Sequence, residues 1–307
     1  MRLLIFFILW FGQLSSANKI TIRDYRPITP IRCIVQNGEE LALLRRFNRN
    51  GDSIFLAVDT ATLRTQLTKT EKSTPRECSG TSRYMRLLKT ASAAPWPLQN
   101  DGITHGQKGL YLTTDLCPSS KKGYEDRLYK ALIDTFSHPV PVTLFITRRW
   151  IEHHEPALKQ LLLWQEQGKL AITWGNHTAW HHYHPGKPLN ENFVLSPEEN
   201  LTEDILELEK TLLYYRIVPS VFFRFPGLVS DRKAVKTVTR LGLVTVGTDA
   251  WLAKGQKPKA GSIILLHGNR NEPKGVDIFL KMIKEKRIKK LNSLDHLEAP
   301  QKMMDAL

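Results

Sequence analysis

From residue 109 onward, short apolar runs alternate with helix-length amphipathic stretches, and this alternation constrains the fold more than any other feature. The runs 110–115, 142–147, 170–174, 221–225, 243–248 and 262–267 read as buried strands. Between them 124–136, 156–167, 197–215, 231–241 and 276–286 carry helical periodicity. Ser196-Pro197-Glu198-Glu199 gives the third helix an N-cap, an N1 proline and first-turn acids. Repeated strand-then-helix units predict an α/β fold on a parallel sheet, either closed as a barrel or doubly wound.

The polar residues fall in a pattern. Asp115, His177, Arg224 with Pro226, Asp249 with Trp251, and His267 each stand at or just past the C-terminal end of a predicted strand. In α/β barrels the reactive groups collect at that face, supplied by several strands. His177 and His181 are four residues apart; on a helical turn both rings would share one face and could hold one metal ion at about 2.0–2.1 Å. The alternative is a His-rich surface loop, since His182 and His184 follow; His184, three residues past His181, is a spare ligand candidate.

The N-terminal part is different. Arg2, the apolar residues 3–11 and Ser15-Ser16-Ala17 form a secretory signal pattern over 1–17, too short to span a bilayer. The expected product is a periplasmic or secreted chain of about 290 residues without stable membrane insertion. Residues 18–106 read as a small accessory region, with strands at 20–23 and 53–58, a short helix at 39–47 and a linker at 91–109. Residues 107–290 form the main domain and 291–307 a tail. The net charge of +14 becomes +13 without Arg2 and suits an anionic polymer as partner. Lys and Arg are scattered without the motifs of a nucleic-acid module, so no nucleic-acid partner is expected. Of three cysteines, Cys33 and Cys78 could pair in an oxidising compartment, leaving Cys117 free.

In this order the strand-end residues resemble the polysaccharide deacetylase (NodB homology) family over about 108–290. The residues that carry the likeness are Thr113-Thr114-Asp115-Leu116, His177-Thr178-Ala179-Trp180-His181, Arg224-Phe225-Pro226-Gly227, Asp249-Ala250-Trp251 and Leu265-Leu266-His267. The resemblance implies a distorted, partly open (β/α) barrel that removes N-acetyl groups from amino-sugar polymers, with a divalent metal (zinc, or else cobalt or nickel) as cofactor. By it, His177 and His181 are metal ligands, Asp115 the general base, Arg224 its partner and His267 the general acid. Trp251, Leu265, Pro226 and Asp249 would border the substrate. The chemistry is consistent: a metal polarises the amide carbonyl and acidifies a bound water, a carboxylate takes its proton, and an imidazole protonates the leaving amine.

The chain departs from the family at Leu116, where the family's second aspartate supplies the third metal ligand. Three arrangements are open: Asp115 binds the metal directly or through water, Cys117 supplies a thiolate from the Asp115 side of the strand, or the site binds no metal and the chain is a glycan-binding pseudoenzyme. Gly247 stands where the family often has an aspartate, so His267 either lacks its usual tuning carboxylate or takes it from Asp249. Hydrolysis of a non-sugar amide is a further alternative, disfavoured by the secretion signal.

Overall fold

The computed structural model describes residues 21–69 and 74–298. The expected signal sequence and residues 299–307 lie outside the described residues. Two sheets make up the fold, and residues 39–49 belong to a strand rather than the expected helix. The strands β1 (Ile22–Gln36), β2 (Glu39–Arg49), β3 (Asp52–Asp59) and β4 (Thr65–Thr68) form an antiparallel sheet in that order. Two tight turns decide the structure of β2. Asn37-Gly38 and Asn50-Gly51 all have positive φ, the backbone of hairpin turns whose twist matches the flanking strands. A segment bracketed by such turns pairs along its whole length, and Leu41 to Leu44 are buried on both faces of the sheet. The Cys33–Cys78 disulfide ties β1 to the segment that follows β4.

The second sheet is wholly parallel. Its strands are β5 (Tyr111–Leu116), β6 (Val140–Ile146), β7 (Leu170–Asn176), β8 (Phe222–Phe223), β9 (Val244–Thr245), β10 (Ala250–Trp251) and β11 (Ile263–His267), in the order β10-β11-β5-β6-β7-β8-β9. The two edge strands, β9 and β10, are consecutive in the chain. Residues 246–249 can span at most about 17 Å, so the sheet must curl until its edges nearly meet. That makes a partly open barrel.

The stretch read as a linker closes part of the gap. Ile103 N–H donates to Thr245 O, Gly247 N–H to Ile103 O and Gly106 N–H to Gly261 O. Gly102, at φ +98, lies against Thr245, where a Cβ would come within 2.5 Å of the Thr245 carbonyl oxygen. Residues 99–106 thus form a slat of the barrel, and helix α1 (Arg83–Ser92) packs beside them with Tyr84, Leu87 and Ala91 buried. The expected tail also begins inside the core, with Leu294 and Leu297 fully buried.

Strand parity sorts the side chains. Leu112, Leu116, Leu144, Ile146 and Leu266 face an outer layer of helices: α2 (Asp126–Thr135), α3 (Arg148–His153), α4 (Glu155–Glu166), α5 (Leu201–Tyr214) and α7 (Pro273–Lys284). α6 (Arg232–Arg240) covers β8 and β9. α5 starts four residues later than Ser196-Pro197 suggests, because the Asn200 side chain accepts Glu203 N–H and makes the cap. A buried ion pair joins the antiparallel sheet to the helical layer of the barrel: Arg45 of β2 and Glu209 of α5 are 0% and 1% exposed, with Nε–Oε2 at 2.7 Å and Nη2–Oε1 at 2.8 Å. Among the described residues no helix is long and apolar enough to cross a membrane.

Candidate active site

The parallel register aligns the strand ends. His267 pairs with Asp115, Leu265 with Thr113, and Trp251 with Leu265. Thr113 and Asp115 share the inner face of β5, and Cys117 follows on the same side. Leu116, between them, is fully buried against the helices. Leucine offers no ligand atom at 116.

Arg224 lies in the middle of this face, fully buried. Its Nη1 donates to Asp115 Oδ1 at 2.7 Å and to Thr113 Oγ1 at 2.8 Å, its Nη2 to Gly247 O and its Nε to Val246 O. The guanidinium also stacks over Phe145 at 4.3 Å. Every arm is used, so one oxygen of Asp115 is held and the other, Oδ2, is left toward the cleft. Gly247, the position without an aspartate, contributes its carbonyl here.

His177 is oriented through the same arginine. Its Nδ1 donates to the Arg224 carbonyl at 2.8 Å, which fixes the tautomer and leaves Nε2 as a lone-pair donor. Nε2 lies 3.5 Å from Cys117 Sγ and 3.9 Å from Asp115 Oδ2. His181 is not on a helical turn with His177. The chain leaves β7 as a loop in which Thr178 and His181 have φ of 67° and 51°, and Asp204 at the start of α5 pins it by accepting the N–H groups of Ala179 and Trp180. The loop brings the two rings to 4.8 Å between centroids.

The ligand atoms of Cys117, His177 and His181 all lie within 4.8 Å of one another. His181 Nε2 is buried with no hydrogen-bond partner, an expensive state for a polar atom unless something else occupies its lone pair. Two imidazoles and a thiolate are a donor set suited to zinc, with a fourth position open. These residues fit a metal ion. Burial would raise the Cys117 thiol's pKa, but His181 and His177 beside it outweigh that and hold it well below the usual value. Burial works against a charged His177, and Asp115 and Cys117 overcome it, raising its pKa. Asp115 stands one step behind this trio, and His184 lies outside it.

His267 faces the trio across the cleft. Its Nδ1 donates to Glu272 Oε2 at 2.8 Å, and Trp251 Nε1 donates to the same oxygen at 2.7 Å. Burial depresses the His267 pKa, but hydrogen bonds with Cys117 and Glu272 and the charges of Cys117 and Asp115 push it up to about 10. The carboxylate beside the candidate acid is therefore Glu272 and not Asp249. Asp249 is spent on the barrel seam, where it accepts from His105 Nδ1 at 2.6 Å, Ser262 Oγ at 3.1 Å and Ile263 N–H at 3.1 Å. Glu272 carried no strand-end signal; its only mark in the sequence is a carboxylate five residues past His267 and just before Pro273.

A cleft of about 610 Å³ contains Asp115, Cys117, His177, His181, His267 and Glu272. Trp251 and Leu265 line it, as expected; Pro226 is buried, and its neighbours Gly227 and Leu228 line the cleft instead. A second cleft, of about 680 Å³, lies at the opposite ends of β6 and β7 and is lined by Ile172, Lys290 and Asn292 among others. Among the described residues the only cluster of three metal donors is that of Cys117, His177 and His181.

Residues 102–246 match the family model described as polysaccharide deacetylase. This stretch is a polysaccharide deacetylase domain. Among solved structures the chain is similar to a family 4 carbohydrate esterase from Bacillus anthracis, at 23% identity over 73% of this chain and 96% of that one, with a TM-score of 0.46. It is similar to Bacillus subtilis PdaA, also a family 4 carbohydrate esterase, at 19% identity over 73% and 90% of the two chains, with a TM-score of 0.46. It is similar too to BA3943, a family 4 pseudoenzyme from Bacillus anthracis, at 15% identity over 66% and 69%, with a TM-score of 0.42. The deacetylase domain so assigned begins inside the 99–106 slat, before the change of composition at 109.

Proposed function

We propose that this chain is an exported, metal-dependent hydrolase that removes N-acetyl groups from an amino-sugar polymer, peptidoglycan or a surface polysaccharide. The observation that carries the reading is the convergence, in one cleft, of the Cys117–His177–His181 donors with the Asp115–Arg224 and His267–Glu272 pairs. Cys117, His177 and His181 would hold the metal, most suitably zinc, with Asp115 close enough to contribute through water. When bound, such an ion supplies Lewis acidity toward the acetyl carbonyl and the attacking water.

The remaining steps belong to the chain. Asp115 accepts the proton of the attacking water on Oδ2, while Arg224 holds Oδ1. His267, positioned by Glu272, gives a proton to the departing sugar nitrogen as the carbon–nitrogen bond breaks. Trp251 and Leu265 wall the space for the acetyl methyl. Water and amide are consumed, and acetate and a free amine leave. Export rests on the 1–17 pattern.

One observation favours a second reading. The family's third ligand position is Leu116 here, which suits a glycan-binding pseudoenzyme. Acetate release from N-acetylated glycans, with and without a chelator, separates the two. Chelator-sensitive release is expected; none from a chain shown to bind glycan would leave the binding module.

A further inference from the structure

The rim of the cleft carries an aromatic wall that hydrolysis at the acetyl group does not need. Tyr183 lines the cleft and is 59% exposed, a large ring left uncovered beside a buried polar site. It is not a loose surface residue. Its ring lies against Phe193 at 5.3 Å between centroids and 31° between planes, and Phe193 stands edge-on to the ligand candidate His181 at 5.5 Å.

The backbone is bent to build this wall. Phe193 takes φ +51, a costly region for an aromatic residue. Opposite it Gly227, at φ +62, leaves out the Cβ that would otherwise come within 2.5 Å of the Phe193 ring. Asn192, fully buried, holds the loop by accepting His184 N–H and donating to the carbonyls of His184 and Lys187. Strain of this kind persists only where the surroundings enforce it. The enforced result is one flat apolar face, backed by a second ring, at the mouth of the cleft.

A pyranose ring presents carbon–hydrogen bonds on its faces and hydroxyls around its edge, so it lies flat on an aromatic ring while its hydroxyls stay in water. We propose that Tyr183, braced by Phe193, is the platform for a sugar ring next to the one whose acetamide enters the cleft. The site therefore selects an oligosaccharide or polymer over a single N-acetylated sugar. This rests on the reading of the chain as a glycan deacetylase and adds a specificity-determining residue to it.

The test compares wild type with Tyr183→Ala, Tyr183→Phe and Tyr183→Trp of the mature metal-loaded chain. Acetate release is measured from N-acetylglucosamine and from its tetrasaccharide, and tetrasaccharide binding is measured separately by titration calorimetry. Tyr183→Ala is expected to raise KM for the tetrasaccharide about tenfold, as the loss of roughly 60 Å² of apolar contact would. kcat should fall far less, and the preference for tetrasaccharide over monosaccharide should shrink by a similar factor. Phe and Trp should restore it. An unchanged preference in Tyr183→Ala, or a loss that Phe and Trp fail to rescue, overturns the platform. Tyr183-dependent binding without any acetate release upholds the platform and removes the hydrolase reading; absence of both binding and release removes both.

Discussion

Glu209→Ala should cost this chain about 3–5 kcal/mol of stability, and the structure supplies the arithmetic. Arg45 keeps two backbone acceptors for Nη1, the Leu44 and Leu241 carbonyls. Its Nε and Nη2 have only Glu209, at 2.7 and 2.8 Å, and Tyr25 Oη donates to the same carboxylate at 2.9 Å. Removing the carboxylate strands two arms of a fully buried cation and one phenol. Hydrogen bonds to charged groups are worth about 1.5–3 kcal/mol each, and breaking a buried pair from one side costs about 3–5 kcal/mol. Arg45→Met with Glu209→Leu removes both charges and should recover most of the loss. The assay is urea unfolding of wild type, Glu209→Ala, Arg45→Met and the double variant, read by tryptophan fluorescence and compared at their midpoints. A Glu209→Ala loss under about 1 kcal/mol, or a double variant as unstable as the single ones, would show that the pair does not clamp the sheet to the barrel.

Three further outcomes follow from the site and its surroundings. Purified wild type should hold one zinc per chain by elemental analysis, and Cys117→Ala and His181→Ala should each lose most of it; full occupancy in Cys117→Ala would place the third donor elsewhere. Asp115→Asn and His267→Ala should each cut acetate release by roughly 10²–10⁴ with circular dichroism unchanged, and wild-type turnover in either would remove that residue from the roles proposed. Burial lifts the Asp101 carboxyl to about 6, and its Oδ2 has no partner. Because that pKa is above its unfolded value, Asp101 costs nothing below about pH 4 and becomes destabilising as pH rises through 6. Asp101→Asn should therefore match wild type at pH 4 and exceed it at pH 8, by at most about 3 kcal/mol; equal midpoints at pH 8 would refute it.

Much of the site was legible because strand ends are. Parity puts Thr113, Asp115 and Cys117 on one face, and parallel register brings His267 beside Asp115, so residues at strand termini meet whatever the loops do. Loop chemistry was not legible. The His177–His181 spacing suggests a helical turn, but Asp204, anchored on α5, holds those residues in a strained loop. Glu272 stands beside His267 where Asp249 was one candidate, because His105 reaches Asp249 from a segment that reads as a linker. The helix reading of 39–47 could not register the buried partner of Arg45, Glu209, 164 residues away.

The 99–106 slat also sets where this protein can be divided. A chain cut at residue 107, the expected start of the main domain, would lose the piece wedged between Thr245 and Gly261 and leave the open edges of the curled sheet bare. The barrel is not a module with an optional front end; its last stave is delivered by the region before it, and any shortened version must carry that stave along.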